Sequence, residues 1–70
     1  MPAIKSQEMI RALERAGFYL HHQSGSHVIL KRPDGTRVTV PNHHKDLKQG
    51  TIHSILRETR ISRDELLNLL

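Results

Sequence analysis

The 70-residue chain has no cysteine and no tryptophan, and it holds one tyrosine and one phenylalanine. Without cysteine there is no disulfide framework, no thiol nucleophile and no cysteine-ligated metal site. Tyr19 is the one side chain of its kind that can stack on a base, and a lone aromatic serves packing more often than recognition. No apolar run approaches the roughly 18 residues that a membrane span requires, and the opening "MPAIKSQEM" lacks the apolar centre of a secretory signal. The expectation is a cytoplasmic chain with no membrane partner. Internal repeats and low-complexity tracts are absent as well.

What is present is ordinary for a folded domain: 36% apolar and 26% charged residues. Seventy residues imply a single domain over 1–70 with one thin core, since a chain this small buries only about 60% of its unfolded surface. Eleven Lys and Arg against seven Asp and Glu give a net charge of +4. That balance suits an anionic partner and suits plain solubility equally well.

The segment "SQEMIRALERAG" predicts a helix over about 7–16, capped by Ser6, with Glu8 at the positive end of the dipole and Gly17 as a left-handed stop. Met9, Ile10, Leu13 and Ala16 form its apolar stripe. "FYLHHQ" alternates Phe18, Leu20 and His22 against Tyr19, His21 and Gln23, the period of a half-buried strand, and Ser24-Gly25 then form a tight turn. "HVILKR" and "TRVTVP" are two further strands joined by the "PDG" turn at 33–35. Val28, Leu30, Val38 and Val40 fall on one side, and His27, Lys31, Arg37 and Thr39 on the other. "NHHKDLKQG" is polar and loop-like. Ile52, Ile55 and Leu56 stripe a second long helix, and Ser62 with Glu65 has the capping-box spacing of a short third. The order α-β-β-β-α-α describes an α+β fold: a three-stranded antiparallel meander with helices on one face and the other face open.

On that open face the residue of interest is His27, which follows "GS" at the mouth of a strand. Histidine titrates near neutrality and serves as acid or base, and Lys31, Lys45 and Arg37 supply cations suited to phosphate. Such a set fits RNA cleavage by the neighbouring 2′-hydroxyl, which needs a base for the hydroxyl proton, an acid for the leaving oxygen and cations for the charged phosphorane. An isolated histidine beside a turn is more often a polar strand residue. The amino end of the second long helix, near Gly50 and Thr51, offers free amides for a phosphate, with Lys48 and Arg57 nearby; a solvated, capped helix explains the same residues. The chain holds six histidines, yet neither His21-His22 nor His43-His44 has the i, i+4 spacing of a helical zinc site, and the strands carry no carboxylate. No metal and no cofactor is expected. His43 or His44 is available as a second acid-base group.

Taken in order, "GSHVIL", "VTVPNHHKDLKQGTIHSIL" and "ISRDELL" resemble the HicA family of toxins from bacterial toxin-antitoxin pairs, over nearly the whole chain. The most specific parts are Gly25-Ser26-His27, the segment Pro41 to His44, and Gly50-Thr51 ahead of the Ile52, Ile55 and Leu56 stripe. The resemblance implies a fold similar to double-stranded RNA-binding domains and the activity of an mRNA interferase, a metal-independent endoribonuclease with His27 as its catalytic histidine. Gly25 and Ser26 then orient the phosphate, and Lys31, Lys45 and Lys48 neutralise it. It further implies mRNA as substrate and a HicB-like antitoxin as partner, with DNA reached only through that antitoxin. The alternative of another class is a non-catalytic RNA-binding module that uses the same face; the absence of a Lys-rich helix start disfavours it. One departure stands out: Arg60 occupies a position where the family often has glycine, which puts the junction of the last two helices in doubt.

Overall fold

The computed structural model describes residues 2–70. They form α1 (Ser6–Arg15), β1 (Tyr19–Ser24), β2 (His27–Lys31), β3 (Arg37–Pro41), α2 (Gln49–Thr59) and α3 (Arg63–Leu69). The strands make one antiparallel sheet in the order β1-β2-β3. Val28, Leu30, Val38 and Val40 are buried, while His27, Arg37 and Thr39 between them are exposed, so β2 and β3 alternate as a sheet with one covered face does. Met9 and Leu13 of α1, Ile52 and Ile55 of α2, and Leu66 of α3 complete the core. The Cα envelope measures 28 × 27 × 17 Å, and its short dimension is that of one helical layer on one sheet. No described helix is long and apolar enough to cross a membrane.

Turn chemistry positions the strands. Gly25 has φ 55° while Ser26 keeps negative φ, and Ser24 pairs with His27. This is the pattern of a type II′ hairpin turn, whose first central residue needs the freedom of glycine. The turn is therefore Gly25-Ser26, one residue later than Ser24-Gly25, and His27 is the first residue of β2. At the other hairpin the Arg32 amide donates to the Thr36 carbonyl at 2.9 Å and the Gly35 amide to the Arg32 carbonyl at 2.9 Å. The Asp34 carboxylate accepts from the Thr36 amide at 2.9 Å, and this bond, aided by the Thr36 hydroxyl, holds the carboxyl below its ordinary range.

Ser6 does not cap α1. It is fully buried; its hydroxyl donates to the Pro41 carbonyl and accepts from the His43 amide at 3.3 Å. The cap position is Lys5, whose amide donates to the Glu8 carboxylate at 2.9 Å. The segment 42–48 is correspondingly less loop-like than its polarity implies. Leu47 is 3% exposed, its amide donates to the Ile4 carbonyl at 2.8 Å, and Lys5 meets Asp46 at 3.5 Å. Ile4 and Leu47 are apolar anchors at the two ends of this tie, and each sits in a stretch without periodicity, so no pattern marks it.

Arg32 holds a second junction together. Its guanidinium lies 4.5 Å from the centre of the Phe18 ring and donates to the Thr59 carbonyl at the end of α2, 3.2 Å away. Next to it, Arg60 is the only non-glycine residue with positive φ among those described, at φ 60°, so the backbone takes the left-handed helix stop without glycine. Ser62 and Glu65 make the expected capping box, at 3.1 and 3.2 Å. A left-handed residue other than glycine costs roughly 1–2 kcal/mol, partly offset by the greater chain entropy glycine loses on folding. Arg60→Gly is therefore expected to stabilise the fold by about 1 kcal/mol, a rise of about 4–8 °C in Tm for a domain of this size; a melting curve at or below that of the parent contradicts the expectation.

Candidate nucleic-acid interface

The open face of the sheet is laid out by pairing. Ser24, His27 and Pro41 lie side by side across the three strands; so do His22, Ile29 and Thr39, and then Tyr19, Lys31 and Arg37. Directly paired residues of an antiparallel sheet project from the same face. His27 therefore stands at the hairpin end of this face, exposed, with the Gly25-Ser26 turn on one side and Pro41 across from it. The Ser26 carbonyl accepts from the Asn42 amide, which fastens the turn to the segment after β3.

The presence of His22 on this face is a departure from simple alternation. The register shifts between Leu20, paired with Leu30, and His22, paired with Ile29, so His21 is the extra residue of a β-bulge. Such a bulge inserts one residue and re-aims the side chains beyond it. Leu20 and Gln23 border the helix side of the sheet with Ile10 and Glu14 of α1, whereas His22 joins His27 outside. Phe18 is 4% exposed and precedes β1, which is exposed along its whole length. The half-buried strand expected here is an overhanging edge.

Beside Pro41 the face continues into a groove of about 430 Å³ between β3 and α2, lined along the length of the helix. Thr39, Pro41, Lys48, Thr51, Ser54 and Glu58 line it. Lys48, the cap residue of α2, lines this groove together with Pro41, the residue paired with His27.

Against this geometry, residues 6–61 match the family model for the HicA toxin of bacterial toxin-antitoxin systems. The chain belongs to the HicA toxin family. No curated protein matches it. The match spans the interface from α1 to the Arg60-Ile61 junction, so the hairpin, His27 and the groove all fall within the HicA portion of the chain. Membership gives this protein the role of toxin in a toxin-antitoxin pair.

Of the residues singled out from the sequence of this HicA member, Gly25, Ser26, His27 and Lys48 gather at one end of the sheet. Lys45 is exposed in the segment that connects β3 to α2. Lys31 is half-buried and opposite Arg37, four residues along β2 from His27, or about 13 Å at the usual rise. It therefore belongs to a second cationic position at the far end of the face. His43 and His44 are tied by their backbones to the start of α1, through Ser6 and Lys5. Among the carboxylates, Asp34 lies in the distal turn beside Arg32 and Asp46 against Lys5, whereas Glu58 lines the groove. The residue that sequence reasoning missed is His22, because the bulge reverses its face.

Proposed function

We propose that this HicA-family toxin is a metal-independent endoribonuclease that cleaves mRNA, with His27 as a general acid or base. The observation that carries the reading is the placement of an exposed histidine at the first position of β2, beside a tight turn and next to the groove bordered by Lys48. In the reaction the 2′-oxygen attacks phosphorus, the bond to the 5′-oxygen breaks, one proton leaves the 2′-hydroxyl and another reaches the 5′-oxygen. The products are a 2′,3′-cyclic phosphate and a 5′-hydroxyl. Gly25 and Ser26 orient the phosphate, Lys48 and Lys45 neutralise it, and Lys31 with Arg37 holds the strand further along. The deciding experiment incubates the purified chain with a defined single-stranded RNA in excess chelator and separates the fragments. Cleavage ending in cyclic phosphates is expected; RNA that binds and stays intact assigns the chain to the RNA-binding module instead.

The partner we infer is a HicB-like antitoxin that covers the open face with acidic or apolar groups, touching DNA on the toxin's behalf. The exposed Tyr19 and the cationic Arg37 on the face support a complementary protein surface. Co-expression of the neighbouring gene product is expected to restore growth, and a product that neither binds nor protects removes this partner.

A further inference from the structure

We propose that His22 is the second acid-base group of the cleavage reaction, working with His27 on one phosphate. The inference rests on the ribonuclease reading of His27. In-line displacement places the attacking 2′-oxygen and the departing 5′-oxygen on opposite sides of phosphorus. The group that takes one proton and the group that gives the other must therefore stand apart, each within about 2.6–3.2 Å of its own oxygen. Two histidines in contact cannot do this, and one histidine alone serves one side.

The sheet supplies the required separation. His22 pairs with Ile29 and His27 with Ser24, so the two imidazoles are diagonal neighbours on one face, with backbones about 7–8 Å apart. Both are exposed. The bulge at His21 creates this arrangement. Leu20 faces α1, and without the extra residue His22 would follow it to the helix side by parity; with the bulge His22 crosses to the side of His27. A bulge that re-aims a side chain next to a candidate catalytic residue is the usual setting of such irregularities. His43 and His44 lie just past Pro41, the residue paired with His27; their backbones bond Ser6 and Lys5 at the start of α1, and no strand pairing fixes them to the face as it fixes His22. The other ionisable groups on the face are Tyr19, Lys31 and Arg37, all in the row beyond His22, and His21 adjoins it in the chain.

The test is the pH dependence of RNA cleavage in excess chelator for the parent and for His22→Gln, His21→Gln and His27→Ala, with RNA retention and melting temperature measured on each. A bell-shaped profile is expected for the parent, since an acid and a base are both required. His22→Gln should cleave about 10²- to 10⁴-fold more slowly and lose one limb of the bell, with RNA retention and melting unchanged. His27→Ala should lose the other limb, and His21→Gln should keep both. A uridine 3′-phosphate ester of 4-nitrophenol, whose leaving group departs without a proton, should restore the one variant of the His22 and His27 pair that lacks the acid. A His22→Gln profile that retains both limbs, even at reduced rate, overturns the proposal, and so does failure of the activated ester to restore either variant. An inactive His27→Ala beside a fully active His22→Gln removes His22 alone. A fully active His27→Ala, or a parent that leaves RNA intact, defeats the ribonuclease reading and His22 with it.

Discussion

His27→Ala should lower the rate of RNA cleavage by about 10²- to 10⁴-fold, the range of a general acid-base group. In barrier terms this is about 3–5 kcal/mol. The side chain contributes little else: it is exposed, it is no part of the core cluster, and its strand position is fixed by backbone pairing with Ser24 and Pro41. The variant should consequently melt within a few degrees of the parent, as surface changes of up to about 0.5 kcal/mol do. It should also retain RNA, because Lys48, Lys45, Lys31 and Arg37 are untouched. Cleavage at the parent rate by well-folded His27→Ala would remove this residue from the chemistry.

Leu47→Ala should be strongly damaging although it lies outside the strands and helices, lowering stability by about 3 kcal/mol, within the range for truncating a buried leucine. A domain of this size has a total of roughly 3.5–10 kcal/mol at 0.05–0.15 kcal/mol per residue, so the loss takes about 30% of it or more. Leu47 is 3% exposed and sits beside the backbone bond to Ile4 and the Lys5–Asp46 pair. A cavity there also loosens the segment that carries His43, His44 and Lys45 and leads to Lys48. The measurable outcome is a fall of about 12–24 °C in Tm at 4–8 °C per kcal/mol. A shift of only a few degrees would show that the tie between residues 4–5 and 46–47 is held by its backbone bond rather than by its apolar anchors.

The hairpin strands and the helices were legible because their signals repeat. Val28, Leu30, Val38 and Val40 alternate, Met9 and Leu13 recur on one helical face, and the Ser62–Glu65 box announces α3. Single residues without a period were not legible. Ile4 and Leu47 meet across the sequence, so neither local stretch reveals the other. Ser6 has the chemistry of a cap and sits where a cap belongs, yet burial against Pro41 and His43 overrides that preference. Arg60 illustrates the opposite case: its unsuitability for a left-handed stop was visible, and the junction forms regardless because packing of Thr59 and Ile61 on either side fixes it.

The face of His22 was hidden for a more specific reason. Counted forward from the buried Phe18, parity puts His22 on the helix side. Counted back from the turn, with Gly25-Ser26 as its centre, parity puts His22 with His27. The two counts conflict, and only an extra residue between Leu20 and His22 reconciles them. The forward count alone conceals the bulge; a two-residue turn at Ser24-Gly25 pairs His22 directly with His27, so the conflict persists with either turn. Lys31 shows what parity does not supply, since about 13 Å of β2 separates it from His27 on the same face.

The unpaired residue at His21 has a consequence for solubility. β1 is a terminal strand with six exposed residues and a vacant row of amides and carbonyls along its outer side, the kind of border on which chains stack into fibres. It holds no lysine or glutamate to repel a newcomer. A kink part-way along breaks the flat, regular spacing that a templated strand would need, so the same irregularity that turns a histidine outward also makes this border a poor template for a further strand.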